Sequence, residues 1–78
     1  MAITIYKKAG QHAIVKHSDG KHFAYVMLKD SQVQAPDYSK KGSGFYVSNG
    51  FSDSAIHYVA QWVSLTTARK RMNEAMGI

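Results

Sequence analysis

The stretch HAIVKHSDGKHFAYVML, residues 12–28, decides the fold, because it has the pattern of two strands joined by a tight turn. Both halves are rich in β-branched, aromatic and small apolar residues, which is typical of strands in a sheet. Asp19-Gly20 at the centre is a turn signal, since both central residues of a type I′ turn need positive φ. A two-residue loop at this point places His17 opposite His22. We therefore predict an antiparallel hairpin in that register.

Residues outward from the hairpin predict further strands and one helix. Ile3 and Ile5 alternate with more polar positions near the start of the chain, and Asn49-Gly50 is a second turn signal. The segment after the hairpin is rich in Gln, Ser and Gly, so it is a candidate for a long functional loop. A floppy connection between two strands and a short strand around Val33 are the alternatives. The predicted elements are strands at 2–8, 12–17, 21–28, 45–48 and 56–63, a loop at 29–44 and a helix at 65–76.

The segment 56–63 fits a helix and a strand equally well, because its apolar side chains recur at both spacings. The apolar stripe of 65–76 lies about 150° around a continuous helix from the stripe of 56–63, so one straight helix could not bury both. A break near Ser64, a good N-cap, is required. We predict a strand followed by a helix that Gly77 ends; two helices are the alternative.

The predicted fold class is α+β, an antiparallel β-meander of four to five strands with one C-terminal α-helix packed on one face. Its 78 residues allow a single domain, 1–78. The second face of such a sheet is often solvated, so we expect it to be open for binding, together with the sheet edges.

Composition limits the function classes. Ten Lys and Arg against five Asp and Glu give a net charge of +5, which favours an acidic protein or nucleoprotein surface, or DNA or RNA, as the partner. The chain contains no cysteine, which excludes a disulfide framework and thiolate metal sites and fits a reducing compartment. Within Met1–Lys8 the charges follow the apolar residues, the reverse of a signal peptide, and no apolar run could span a membrane. We therefore expect a cytoplasmic protein, in the host cell if a phage encodes it.

The sequence shows no arrangement for catalysis. Its few carboxylates do not pair as a general acid and base would, and no Gly-rich phosphate loop joins a strand to a helix. We expect no enzyme activity and no cofactor. His17 and His22 form a remote alternative as a metal site, since two imidazoles on paired strands can share a zinc ion but still need further ligands.

Basic residues interleaved with aromatic ones are the more promising feature. Lys7 and Lys8 adjoin Tyr6, and other lysines and arginines lie near aromatic residues or late in the helix. Aromatic rings stack on unpaired bases and cations contact phosphates, so these residues are typical of a nucleic-acid surface. Lys70 and Arg71 point away from the apolar stripe and should be exposed. The candidate binding residues are Lys7, Lys8, Lys16, Phe23, Tyr25, Tyr38, Lys40, Lys41, Arg69, Lys70 and Arg71.

In size, cysteine-free composition, sheet-plus-helix layout and lack of a catalytic motif, the chain resembles small proteins of phages and mobile elements, anti-CRISPR proteins included. The resemblance implies a non-enzymatic inhibitor that masks a surface on a larger nucleoprotein complex. The alternative is direct binding of DNA or RNA through a basic and aromatic sheet face and the loop. Association into a homodimer is compatible with both functions.

Overall fold

The computed structural model describes residues 3–36 and 44–78. Over these residues the chain is an α+β protein with a five-stranded antiparallel sheet, in which each strand pairs with its neighbour in the sequence. Two helices follow the sheet in the sequence, where one was predicted. The elements are β1 (Thr4–Ala9), β2 (His12–Lys16), β3 (Phe23–Lys29), β4 (Gln32–Pro36), β5 (Phe45–Ser48), α1 (Asp53–Ala60) and α2 (Leu65–Met76).

The hairpin of β2 and β3 has the predicted register but a different turn. The backbone N–H of His17 donates to the carbonyl oxygen of His22, 2.8 Å away. The N–H of Gly20 donates to the carbonyl of His17, and Gly20 has positive φ (73°) whereas Asp19 does not. The type I′ turn was therefore a wrong prediction, and the loop is a four-residue connection, 18–21, of the kind usually built on an ordinary β-turn.

Strand β4 occupies part of the segment 29–44 that was predicted to be a loop. Asp30 makes the sharp connection from β3 in the left-handed region, at φ 55°, which aspartate tolerates better than most residues. Val33 and Ala35 are buried, while Gln32 and Gln34, which alternate with them, face the other side. The alternative of a short strand around Val33 was therefore correct. Two apolar positions among Gln and Pro were too weak a signal for it to be the first choice.

Helix α1 replaces the strand predicted at 56–63. Ser52 caps it, because its hydroxyl accepts the N–H of Ala55 at 3.1 Å, and Gln61 ends it at φ 59°. Ile56 is fully buried, whereas Tyr58, which a strand would have buried on the same face, is 62% exposed. The alternative of two helices was correct.

The link between the helices crosses the sheet beside β3. Strand β4 pairs only with residues 27–29, so the first part of β3 has a free edge. Val63 occupies that edge through two backbone hydrogen bonds with Phe23, of 2.8 and 2.7 Å. Ser64 then caps α2 by accepting the N–H of Thr67 at 3.3 Å. The chain thereby passes from one face of the sheet to the other.

Two apolar cores, one on each face of the sheet, result from this crossing. Ile56, Val59 and Ala60 of α1 pack on the face formed by the small and branched residues of β2, β3 and β4. On the opposite face, α2 packs on Ile14 and Tyr25 through two further buried side chains, Ala68 and Met72. The expectation that a helix covers one face of the sheet was wrong. The apolar stripe of α1 packs on one face and that of α2 packs on the other.

Candidate functional site

A β-bulge in the edge strand β1 places the neighbouring side chains of Tyr6 and Lys7 on the same side of the sheet. Ile5 lies opposite Val15 and Lys7 lies opposite Ile14, so Tyr6 is the extra residue. The Tyr6 ring contacts Phe23 edge to face, with 5.2 Å between the ring centroids. Tyr6 is nevertheless 45% exposed. The bulge therefore presents an aromatic ring to solvent on the α2 side of the sheet.

Lys7 and Lys16 share that side with Tyr6. Lys7 lies opposite Ile14, a residue of the core under α2, and Lys16 lies opposite Phe23. Lys8 lies opposite Ala13, which belongs to the core on the α1 side. The predicted cationic pair Lys7 and Lys8 is thus divided between the two faces of β1.

Arg69 extends the same surface from α2. Arg71 donates from Nη1 to the carbonyl oxygen of Ala60, 3.0 Å away, and so marks the flank of α2 that faces away from β1. Arg69 lies about 160° around the helix from Arg71, on the β1 side, and is exposed. We define the β1–α2 surface as Tyr6, Lys7, Lys16 and Arg69, with Phe23 beneath the Tyr6 ring.

The β1–α2 surface has no acidic counterpart among the described residues. Asp19 lies in the hairpin loop, Asp30 in the β3–β4 connection and Asp53 in the first turn of α1. Glu74 lies three residues after Arg71, on the flank of α2 away from β1. Within residues 3–36 and 44–78, no ion pair joins Lys7, Lys16 or Arg69 to a carboxylate.

Tyr25, a predicted binding residue, belongs to the core instead. It is fully buried, and its hydroxyl lies 2.7 Å from Nδ1 of His12, whose ring stacks on the tyrosine ring. Burial raises the pKa of Tyr25 to about 12. The prediction that this ring contacts a ligand was wrong, because α2 covers the face on which it lies.

Arg71 has a structural role, contrary to the prediction that it would be exposed. It is half-buried and joins the middle of α2 to the last carbonyl of α1, where a cation is favoured by the helix dipole. Lys70, its neighbour, is exposed as predicted. Three other predicted residues, Tyr38, Lys40 and Lys41, lie outside the described residues.

The histidines at the hairpin loop organise the turn. Nδ1 of His22 lies 2.7 Å from Oδ2 of Asp19, and Oδ1 of Asp19 accepts the N–H groups of Lys21 and His22. The pKa of Asp19 is held well below its usual range. The hydrogen bond from the Lys21 N–H is the main cause, and contacts with His22 and His17 add to it. The N–H of Asp19 donates to Nδ1 of His17. Within the described residues no group of three or more His, Asp or Glu could hold a metal ion.

His17 also connects the loop to α1. Its ring contacts Trp62 edge to face at 4.7 Å, and Nε1 of Trp62 donates to the carbonyl of Asp53 at 3.1 Å. Ser18 donates its hydroxyl to Oδ2 of Asp53, 2.5 Å away. These contacts tie the hairpin to the start of the helix, which gives His17 a packing role.

An open groove of 340 Å³ lies at the other end of the sheet. Ile5, Leu28, Val33 and Phe51 make up its apolar wall, and among the described residues Asp30 is the one titratable residue that lines it. A single carboxylate does not provide the paired acid and base that hydrolytic chemistry uses. The groove therefore adds apolar surface and no reactive arrangement.

No protein-family model, curated protein or solved structure matches this chain. Among the described residues, neither helix is long and apolar enough to cross a membrane. Tyr6 was missing from the predicted aromatic contacts, which were Phe23, Tyr25 and Tyr38, because the bulge that exposes Tyr6 has no clear signature in the sequence.

Proposed function

We propose that this chain is a non-catalytic binding protein whose β1–α2 surface binds single-stranded nucleic acid. The observation that carries the proposal is the exposed Tyr6 ring, which shares its side of the sheet with Lys7 and Lys16. No acidic side chain of the described residues lies on that surface. A ring with cations beside it is the arrangement that holds an unpaired base and its phosphates together.

Tyr6 is suited to stacking on a base because its ring packs against Phe23. Its edge-to-face contact with Phe23 orients the ring, so less conformational freedom is lost when a base covers it. Stacking on an aromatic side chain contributes about 1–3 kcal/mol per base and tolerates any sequence. Duplex DNA keeps its bases stacked inside, so it would use the cations alone and should bind more weakly.

The test is an equilibrium titration of fluorescently labelled single strands and duplexes at several salt concentrations. If Lys7, Lys16 and Arg69 each neutralise one phosphate, the logarithm of the affinity for a single strand should fall with that of the salt concentration with a slope of about −2. A single strand should also bind more tightly than a duplex. Absence of binding at low salt, or a slope near zero, would overturn the proposal.

A second candidate function is masking of a surface on a larger nucleoprotein complex, in the manner of an anti-CRISPR-like inhibitor of phage origin. It is favoured by strand β5, which carries no charge and exposes Phe45 and Val47 at a sheet edge, where protein strands can add. A stoichiometric host complex that remains bound after nuclease digestion would support this function. Loss of all partners on nuclease digestion would favour nucleic acid instead.

A further inference from the structure

We infer that a second copy of this chain docks on strand β5, so that two five-stranded sheets join edge to edge. This inference concerns the sheet edge opposite the β1–α2 surface and does not depend on the proposed function. Among the described residues, β5 pairs with β4 only, so the backbone N–H and C=O groups on its outer side are available to another strand.

The two edges of the sheet differ in how they resist pairing. Strand β1 has a bulge at Tyr6 and carries Lys7 and Lys8, and both a bulge and lysines disfavour addition of another strand. Strand β5 has an unbroken register with β4 and contains no charge, proline or bulge. Of the two edge strands in the described part of the chain, β5 is therefore the one with a regular, uncharged edge.

Apolar side chains surround the β5 edge on both faces. Phe45 and Val47 lie on the α2 side, where they are 59% and 42% exposed. Tyr46 lies on the α1 side, and its ring is 5.5 Å from that of Tyr58, which is itself 62% exposed. An edge bordered on both faces by exposed apolar surface indicates an interface.

The strand is complementary to itself. A two-fold axis perpendicular to the sheet, midway between Tyr46 and its copy, makes β5 antiparallel to the β5 of the second chain and keeps each face of the sheet continuous. Phe45 then lies opposite Val47 of the second copy, an aromatic and β-branched pair of the kind that stabilises antiparallel strands. From Gly44 to Ala68 the only charged residue is Asp53, so this pairing places no like charges opposite each other.

The exposed ring of Tyr58 favours a second copy of the chain, rather than an extended peptide, as the partner of the β5 edge. A stable interface buries about 800 Å² on each partner, more than the edge of a four-residue strand supplies. A second copy brings its own α1 alongside the first, because α1 packs beside β5 in each chain. Tyr58 is thereby covered together with the strand edge, whereas an extended peptide would leave it in solvent.

Analytical ultracentrifugation of the full chain from micromolar to several hundred micromolar tests this inference. We expect the mass to rise from 8.7 kDa to twice that value. Val47→Lys should remain monomeric, since it places a lysine on the interface, and Phe45→Lys should do the same. Thr4→Lys adds the same charge to β1 and should dimerise like the unmodified chain. Urea unfolding of each variant establishes that it is folded.

Monomeric mass of the unmodified chain over the whole range would overturn the inference, as would a Val47→Lys chain that still dimerises. The nucleic-acid titration is independent of this result, because Phe45 and Val47 lie at the edge strand β5, away from Lys7, Lys16 and Arg69. Thr4→Lys is used for the mass measurement alone, since Thr4 lies opposite Lys16. A chain that is monomeric but still binds single strands would therefore refute the dimer and leave the proposed function intact.

Discussion

Tyr6 contacts Phe23 edge to face, with 5.2 Å between the ring centroids and 75° between the ring planes. The contact joins the bulge of the edge strand to a residue that also pairs with Val63 at the crossing between the helices. One exposed ring is thus fixed to the centre of the fold. The proposal that the β1–α2 surface binds nucleic acid rests on this relationship more than on the net charge of +5.

Tyr6→Ala should weaken single-strand binding about 5- to 150-fold, the equivalent of about 1–3 kcal/mol of lost stacking. Tyr6→Phe keeps the ring and should bind nearly as well as the unmodified chain. The dissociation constants from anisotropy titrations check this prediction. Tyr58→Ala is the control, since Tyr58 is exposed on the opposite side of the sheet; an equal loss in that variant would contradict the account.

The buried Tyr25 should make the fold sensitive to high pH. Its pKa is raised from 10.0 to about 12, so between these values the folded chain retains a proton that the unfolded chain loses. The contribution of Tyr25 to the free energy of unfolding is therefore fully present below pH 10, and it decreases as the pH rises toward 12. Tyr25→Phe should reduce that decrease, at a cost of about 1 kcal/mol at neutral pH from the lost contact with His12.

Urea unfolding between pH 8 and pH 11.5 measures the effect of Tyr25. Tyr58→Phe removes an exposed tyrosine and is the matched control, with an alkaline decrease like that of the unmodified chain. If Tyr25→Phe and Tyr58→Phe have the same pH profile, the buried hydroxyl is not the cause.

Asp19 should contribute stability that is lost in acid. Its pKa is held below the ordinary value of 3.8, chiefly by the N–H of Lys21, so the folded chain keeps the charge to lower pH than the unfolded chain does. The contribution is present above pH 3.8 and decreases as the pH falls. Asp19→Asn should lower the melting temperature at pH 7 and make it less dependent on pH below 4. Asp30→Asn, in an exposed turn at positive φ that Asn also tolerates, should keep the acid dependence of the unmodified chain.

Replacing Arg71 should lower the stability of the fold more than replacing its exposed neighbour Lys70 does. Arg71→Ala removes the hydrogen bond to the Ala60 carbonyl and should destabilise the fold by about 1–2 kcal/mol. Lys70→Ala changes an exposed side chain and should alter stability by no more than about 0.5 kcal/mol. Chemical denaturation of both variants checks the difference, and equal stabilities would refute the structural role of Arg71.

The local signals in the sequence were sufficient for the hairpin and for the C-terminal helix. The hairpin register follows from the strand pattern on either side of Asp19-Gly20, although the turn type does not, because the Asp19 side chain satisfies the N–H groups of Lys21 and His22 in a longer loop. The Ser64 cap and the apolar stripe after it likewise predict α2. These features depend on residues close together in the chain.

Features that depend on distant contacts could not be predicted in the same way. The periodicity of 56–63 fits two structures, and packing against the sheet favours the helix, which buries Ile56 and Val59 and leaves Tyr58 outside. Tyr25 was assigned to a binding face because nothing in the sequence shows that α2 covers it. Strand β4 exists because Val33 and Ala35 complete the core under α1.

The most direct test of the central claim compares two double variants that lose the same charge. Lys7→Ala with Lys16→Ala removes two cations from the β1–α2 surface, while Lys8→Ala with Lys29→Ala removes two exposed lysines from elsewhere on the sheet. In single-strand titrations over a range of salt, the first variant should bind more weakly, and its salt slope should be less steep by about 1.4. The second should match the unmodified chain. Equal losses in both variants, or no loss in the first, would contradict the assignment of the β1–α2 surface as the binding site.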